Sequence, residues 1–340
     1  MDLVDIKGWT TDELFSPYPE GSRDKYALIA PETGCPPEII PGHRYLMKFS
    51  NQRYPVQFWS ELIATRVGQH IGVPTPPAFI AVDADSEQPG SLIEWFYGPR
   101  LEAQQGQKKR PGFSFAGAFR GIFGPSEEEE VPKTHSLYVP GSNYMTRVIP
   151  EYDLKAGTQH NMSTVGTWIQ VLGKLSGQDF WPYWAKMILF DALIGNTDRH
   201  QDNWGVLWRS DDEGNPVPRF APAFDNGTSL AHEIMEKNLS KFSDPDQIDR
   251  YVQKGRHHMK WHSNDTRQML HFELVQKMIT LRSRLADHIR SSLELDFDPL
   301  FDEIMRLSGV NAPVALREER ADVICKMISR RVQIFREIIV

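Results

Sequence analysis

Two patterns of apolar residues divide the chain. In the first hundred residues, short runs rich in apolar and aromatic side chains, KYALIAP (Lys25 to Pro31) and HRYLMKFS (His43 to Ser50), flank TGCPPEIIPG. Glycine and proline at those spacings are turn chemistry, so the pattern predicts an antiparallel pair of strands. In the following YPVQFWSELIATRVGQHIGV, residues Phe58, Leu62, Ala64, Thr65, Val67 and Ile71 recur at helical spacing, and Gly72 stands where a helix would stop. Pro74, Pro76 and Pro77 then force an extended path into the strand candidates AFIAVD and SLIEWF.

From Pro99 to about Tyr144 periodicity fades. The segment holds QQGQKKRPG, a glycine and phenylalanine stretch, and four successive glutamates, Glu127 to Glu130, and it reads as a long loop or insertion. From Gly166 onward the pattern turns helical: TWIQVLGKL, WPYWAKMILFDALI, then a tail containing ELVQKMITLRSRLADHIRSSL and REERADVICKMISRRVQIFREII. No internal repeat is visible. The expected layout is a small mixed lobe over 1–98 and a larger, mainly helical lobe over 99–340.

Composition narrows the classes. The 340 residues are 40% hydrophobic, enough for a core. A net charge of -7 and a pI near 5.9 argue against a surface built to grip nucleic acid or an anionic membrane. The two cysteines, Cys35 and Cys325, lack metal or redox spacing, which fits a reducing, cytoplasmic setting. No signal peptide or membrane span is visible, although export by a route that needs neither would leave no such mark.

The concentrated chemistry lies in IGNTDRHQDNWGVLW, Ile194 to Trp208. Ile188, Leu189, Ala192 and Leu193 supply an apolar helix face and Gly195 ends that helix, so Asn196 to Asn203 form a loop leading into a strand. RSDDEGNPVPR reads as a hairpin connection, which returns Asp225 of FAPAFDNGTS beside Asn203. An Asp, an Asn five residues later, and an Asp after the next strand suit phosphoryl transfer. Asp198 would accept the proton of an attacking hydroxyl, while Asn203 and Asp225 offer hard oxygen ligands to magnesium. The bland alternative makes these Asx residues ordinary turn formers and His200 a structural histidine; it suits any one residue alone, and the combination favours the catalytic reading. Lys48, in an apolar strand, supplies a cation for the nucleotide, and Glu61 in the next helix can pair with it. Gly21 and Ser22 lie at a turn where backbone amides could approach phosphates. His200 reads as loop-ordering and Arg199 as structural rather than catalytic.

Taken in order, GSRDKYALIAP, YLMKFS, SELIATRVGQHIGVPTPPAFI, LIEWF, LFDALIGNTDRHQDNWGVLW and APAFDNGTS resemble the HipA-like serine/threonine protein kinases, whose toxin members work in toxin–antitoxin systems. The resemblance runs from about Gly21 to Ser229, and GNTDRHQDN is its most specific part. It implies an α+β, two-lobed protein-kinase-like fold that uses ATP and Mg2+, a protein substrate with a serine or threonine acceptor, and an antitoxin as a candidate partner. By the same resemblance, Gly21, Ser22 and Lys25 belong to the phosphate loop and Lys48 contacts the phosphates. Glu94, Trp95 and Phe96 form the adenine hinge, Asp198 is the base, and Asn203 and Asp225 hold magnesium. The chain begins almost at the phosphate loop, as in short members of the family that lack an N-terminal subdomain. The serine that many members autophosphorylate ahead of the loop glycine has no counterpart in SPYPEG, where Ser16 is displaced and Ser22 lies on the other side.

Other readings remain beside it. Phosphoinositide kinases of the 4-kinase type show a similar Asn-Thr-Asp-Arg element, but no basic or amphipathic membrane face is visible here. A pseudokinase scaffold has no physical reason to keep Lys48, Asp198, Asn203 and Asp225 together. A metal hydrolase fits poorly, because the adjacent His257 and His258 would not converge on one ion from a helix.

Overall fold

The computed structural model describes residues 3–13, 24–83, 85, 87–98, 136–213 and 215–339. Gly21, Ser22, Ser16 and the segment 99–135 lie outside the described residues. The chain has two parts: an N-terminal curled sheet with one helix, and a C-terminal part built mainly of helices.

Six strands form the first sheet: β1 (Val4–Asp5), β2 (Thr10–Thr11), β3 (Lys25–Ile29), β4 (Arg44–Phe49), β5 (Ala78–Asp83) and β6 (Gln88–Glu94), in the order β1-β5-β6-β4-β3-β2. The sequence pattern predicts the β3–β4 pair, and the register sets Lys25 opposite Lys48 and Tyr26 opposite Met47. Period-two alternation along β4 decides what lies on each face. Tyr45 and Met47 join Leu28, Ala81 and Leu92 in one apolar layer, so Lys48 must project to the other side. There it meets α1 (Gln57–Ile71), which packs on β5 and β6 and stops at Gly72 in the left-handed region, φ 71°. The strands β1 and β2, two residues each, are too short to leave a periodic signal.

In the second part, β7 (Leu137–Pro140), β8 (Gly205–Ser210) and β9 (Pro216–Phe220) form a small antiparallel sheet. The helices are α2 (Gly141–Val148), α3 (Met162–Ser176), α4 (Trp181–Ile194), α5 (Pro245–Lys254), α6 (His271–Leu281), α7 (Leu285–Leu293), α8 (Asp298–Leu307) and α9 (Glu318–Ile338). All of α4 except Pro182, Tyr183 and Lys186 is buried, as expected of a helix apolar around its whole circumference. It is the axis of the helical part, with α1, α6, α7 and α9 packed on it.

Two expectations are corrected. The long loop read from Pro99 to Tyr144 runs too far, because Leu137–Pro140 is a strand paired with β8 and Gly141 opens α2. Four residues carry too little periodicity to announce themselves, and it is the long-range pairing that makes them a strand. The run ELVQKMITLRSRLADHIRSSL is two helices rather than one. At Arg282 the backbone leaves the helical region, with φ -141° and ψ 74°, and the guanidinium lies 3.8 Å over the Trp181 ring.

The glycine that ends α4 is under two constraints. Gly195 has φ 65°, and a Cβ there would come within 2.4 Å of the Arg331 guanidinium. Gly177, which ends α3 at φ 69°, has open space where its Cβ would lie. We expect Gly177→Ala to cost about 1 kcal/mol from backbone strain alone. Gly195→Ala should cost about 1–3 kcal/mol more, from the displaced arginine. Urea melts of both variants check this; equal losses would show that Arg331 yields without penalty.

Candidate active site

The loop after α4 is pinned by its own Asx side chains. The Asn196 amide donates to Asp191 Oδ1 at 3.0 Å, and its Oδ1 accepts the Asp198 N–H at 2.9 Å. The Asp198 carbonyl accepts the His200 N–H at 2.7 Å and the Asn203 side-chain N–H at 2.7 Å. The plain turn-forming role considered for these residues is thus present. It also fixes the site: with the Asn203 nitrogen engaged, its carbonyl oxygen is the end left to act as a ligand.

Beneath the loop, Arg199 and Asp191 are completely buried, 0% exposed on each side. Arg199 Nη2 lies 2.7 Å from Asp191 Oδ1, and Nε lies 3.0 Å from Oδ2. Nη2 also donates to Asn226 Oδ1 at 2.6 Å, and Nη1 to the Asn203 carbonyl at 2.9 Å and to the Phe224 carbonyl. One guanidinium therefore ties α4, the end of the Asp198 loop and both neighbours of Asp225. Burial alone would push the Asp191 carboxyl up, but Arg199 and His257 outweigh it and hold the group well below the usual carboxylate range. His257 lies 3.2 Å from Asp191 Oδ2 through Nε2, while its Nδ1 accepts the Met259 N–H at 3.0 Å. That second bond places the proton on Nε2, where it donates to the carboxylate.

His258 turns the other way, its Nδ1 3.4 Å from that of buried His160, whose Nε2 accepts the Trp204 indole N–H at 3.0 Å. Burial pushes the His160 imidazole far below its ordinary value and lowers His258 to about 4, with further lowering from neighbouring histidines. Both are neutral near pH 7, so the His200 ring, 5.9 Å from that of His258, rests against an uncharged backing.

From the sheet side, Lys48 is 4% exposed and pairs with Glu61 Oε1 at 3.2 Å and with Asp225 Oδ1 at 2.9 Å. The other Glu61 oxygen accepts the Asn226 N–H at 2.8 Å. Asp225 has φ 55°, a left-handed conformation that non-glycine residues adopt rarely and at some cost. Contacts on both sides of it, from Arg199 and from Glu61, keep it there.

Of the expected hinge residues, Glu94 closes β6 and donates its N–H to the Pro77 carbonyl at 2.9 Å. The Trp95 N–H donates to the Arg44 carbonyl at 3.1 Å, and its carbonyl lies 3.0 Å from His43 Nε2. The Phe96 N–H and carbonyl bond to no other described residue, and its ring packs 5.2 Å from that of Phe224. Lys25 starts β3 directly across from Lys48. The structure thus brings Lys48 and Asp225 into contact and links them through Arg199 to the Asp198–Asn203 loop. Sequence reasoning missed Asp191, His257 and Asn226 as supports. The available signal was Asp191 itself, one charge inside the apolar run MILFDALI.

Removing Arg199 while Asp191 stays buried should be severe: Arg199→Met is expected to cost about 3–5 kcal/mol, and Asp191→Leu together with Arg199→Met less than the sum of the single changes. Because the folded-state value of Asp191 is depressed, its contribution is present above the unfolded carboxylate value near 3.9 and is lost as pH falls through and below it. Denaturant melts between about pH 5 and pH 2.5 should show a shallower acid loss for Asp191→Asn than for the wild type. An identical acid slope would remove the pair from this account.

No protein-family model matches the chain, and no curated protein matches it in sequence. Among solved structures, its fold matches the crystal structure of a Helicobacter pylori proinflammatory kinase, CtkA, with a TM-score of 0.66 and 15% identity, over 99% of this chain and 96% of that one. A looser likeness, TM-score 0.41 and 13% identity over 94% of this chain and 67% of the other, is to HipA of a Shewanella oneidensis MR-1 toxin–antitoxin system, solved with HipB and operator DNA. The two-part architecture described above is a bilobed kinase-like fold.

Proposed function

We propose that this chain is an ATP- and Mg2+-dependent protein kinase acting on serine or threonine. The observation that carries the reading is the placement of Lys48: a buried lysine held by Glu61 and touching Asp225, whose loop shares Arg199 with the Asp198 loop. A structural ion pair needs one carboxylate. A lysine between two, one of them 27% exposed on a strained backbone, suits a cation that also meets a nucleotide's phosphates.

In this reading adenine bonds the backbone N–H and carbonyl of Phe96, between the ring cluster of Phe96, Tyr138 and Phe224 and the sheet. Lys25 and Lys48 face the phosphates, with the Gly21 and Ser22 turn as the phosphate loop. Asn203 Oδ1 and the Asp225 carboxylate fit magnesium, which takes few protein oxygens and completes its shell with phosphates and water. Bound there, the ion would neutralise charge on the phosphates. Asp198 orients the acceptor hydroxyl and takes its proton as the oxygen bonds to the terminal phosphorus and the bond to the bridging oxygen breaks, releasing ADP. A toxin role restrained by an antitoxin protein belongs to the same reading and rests on the sequence resemblance.

Asp198→Asn should lower transfer by at least about 100-fold while an ATP analogue still binds, because it alters the base and not the phosphate contacts. The assay incubates pure protein and lysate with labelled ATP and Mg2+, beside the variant. Label on a protein band that vanishes with Asp198→Asn is expected. Undiminished transfer by the variant would refute the base assignment, and label extracting with lipid would replace the protein acceptor by a phosphoinositide.

A further inference from the structure

Away from this site, the start of α3 is bound along the stretch that follows α5. The Met162 N–H donates to the Lys260 carbonyl at 2.9 Å, and the Ser163 N–H to the Trp261 carbonyl at 3.0 Å. This main-chain pairing sets Ser163 beside His262, and the Ser163 hydroxyl lies 2.8 Å from His262 Nδ1. Helix capping does not account for that bond, because the N-cap is Asn161, whose side-chain oxygen accepts the Thr164 N–H at 2.9 Å. Burial does not account for it either, since both residues are exposed. Among the described residues, His262 Nδ1 is the one acceptor available to the hydroxyl proton. In the tautomer that accepts it, the imidazole is a base aimed at a nucleophilic oxygen.

His262 is itself held by a closed turn. Asp265 Oδ2 accepts the His262 N–H at 2.9 Å, and the Asp265 N–H donates to the His262 carbonyl at 3.2 Å. The His262 N–H, the adjacent imidazole, the Trp261 N–H and Lys277 hold the Asp265 carboxyl below the usual carboxylate range. An ionised carboxylate near an imidazole favours the imidazolium, the state reached when the base takes a proton.

The pair opens on a cavity of about 420 Å³ walled by Trp181, Trp261 and Met278. Ser163, Gly166 and Gln170 fall at i, i+3 and i+7 on the face of α3 that lines it. A Cβ on Gly166 would come within 3.0 Å of the Trp181 ring, so the bare backbone lets that indole close the cavity floor. We propose that Ser163 and His262 form a second reactive site, an acyl-transfer centre that hydrolyses carboxylic esters whose apolar acyl group fills this cavity. The Ser163 oxygen bonds to the ester carbonyl carbon as His262 Nδ1 takes its proton. The bond from that carbon to the alkoxy oxygen breaks, and the proton leaves with the alcohol. Water then bonds to the same carbon, gives its proton to His262, and displaces the serine oxygen, which recovers the proton as the carboxylic acid departs. The Ser163 N–H is already given to Trp261, so donors for the charged carbonyl oxygen come from the cavity wall. They are Gln170, whose side chain bonds no other described residue, and Arg282, 3.8 Å over Trp181 and in the field of Asp179. The inference is independent of phosphoryl transfer, and its test contains no nucleotide.

The full chain is incubated with the p-nitrophenyl esters of acetate and butyrate, and separately with a fluorescent fluorophosphonate whose attachment site is mapped by peptide mass spectrometry. Butyrate should be cleaved saturably with kcat/KM at least about tenfold above acetate, the worth of burying two more methylenes. Ser163→Ala and His262→Gln should each lower kcat/KM at least about 100-fold with thermal melts unchanged, glutamine keeping a hydrogen bond to the serine but not a base. The fluorophosphonate should label Ser163, and His262→Gln should suppress the label. Absence of hydrolysis, hydrolysis undiminished in either variant, equal rates for the two esters, or a label on another residue would overturn the proposal.

Discussion

A guanidinium at 0% exposure sets the terms for the rest of the site. Burying a charge is unfavourable unless it is paired and its remaining hydrogen-bonding capacity is met. One carboxylate cannot saturate the donors of Arg199. The carbonyls of Asn203 and Phe224 and the amide oxygen of Asn226 complete the set. Those acceptors come from two loops that the β8–β9 pairing already brings side by side, and the arginine fixes how they meet. The electrostatic demand of the arginine is thereby converted into geometry: the loop carrying Asp198 and the turn carrying Asp225 are held relative to one another and to the rigid axis of α4.

The second constraint comes from across the two parts of the molecule. Glu61 on α1 uses one oxygen for Lys48 of the sheet and the other for the Asn226 backbone of the helical part. A single carboxylate therefore registers the lysine against the turn that carries Asp225. Asn226 is the shared point, reached by Glu61 through its backbone and by Arg199 through its side chain. The strained backbone of Asp225 persists because its neighbours are fixed from both directions. Preorganisation of this kind is what phosphoryl transfer requires of a protein, since positioning and charge carry most of the catalysis.

Much of this was legible in the chain. Gly72 and Gly195 mark helix ends because both must take left-handed backbone, and the hairpin between β8 and β9 is written in its turn residues. Lys48 could be read as a lysine in an apolar strand with Glu61 one helix turn into the next element. Arg199 reads as structural, and its burial agrees, but the extent of its duty was hidden because two of its acceptors are backbone carbonyl oxygens that leave no trace in side-chain identity. Asn226 was invisible for the same reason, since half of its role is a backbone N–H. The strand Leu137–Pro140 was lost because four residues pair only through a partner about seventy positions away. Gly21 and Ser22, outside the described residues, stand as the sequence left them.

The most direct test of the central claim, a nucleotide and magnesium site assembled by these linked ion pairs, is calorimetric titration of the wild-type chain with a non-hydrolysable ATP analogue, with Mg2+ and with a chelator. The account predicts one saturable site per chain whose affinity falls at least tenfold when the metal is removed, and falls similarly in Asp225→Asn with Mg2+ present. Absence of binding, or binding indifferent to both the metal and Asp225, would contradict it.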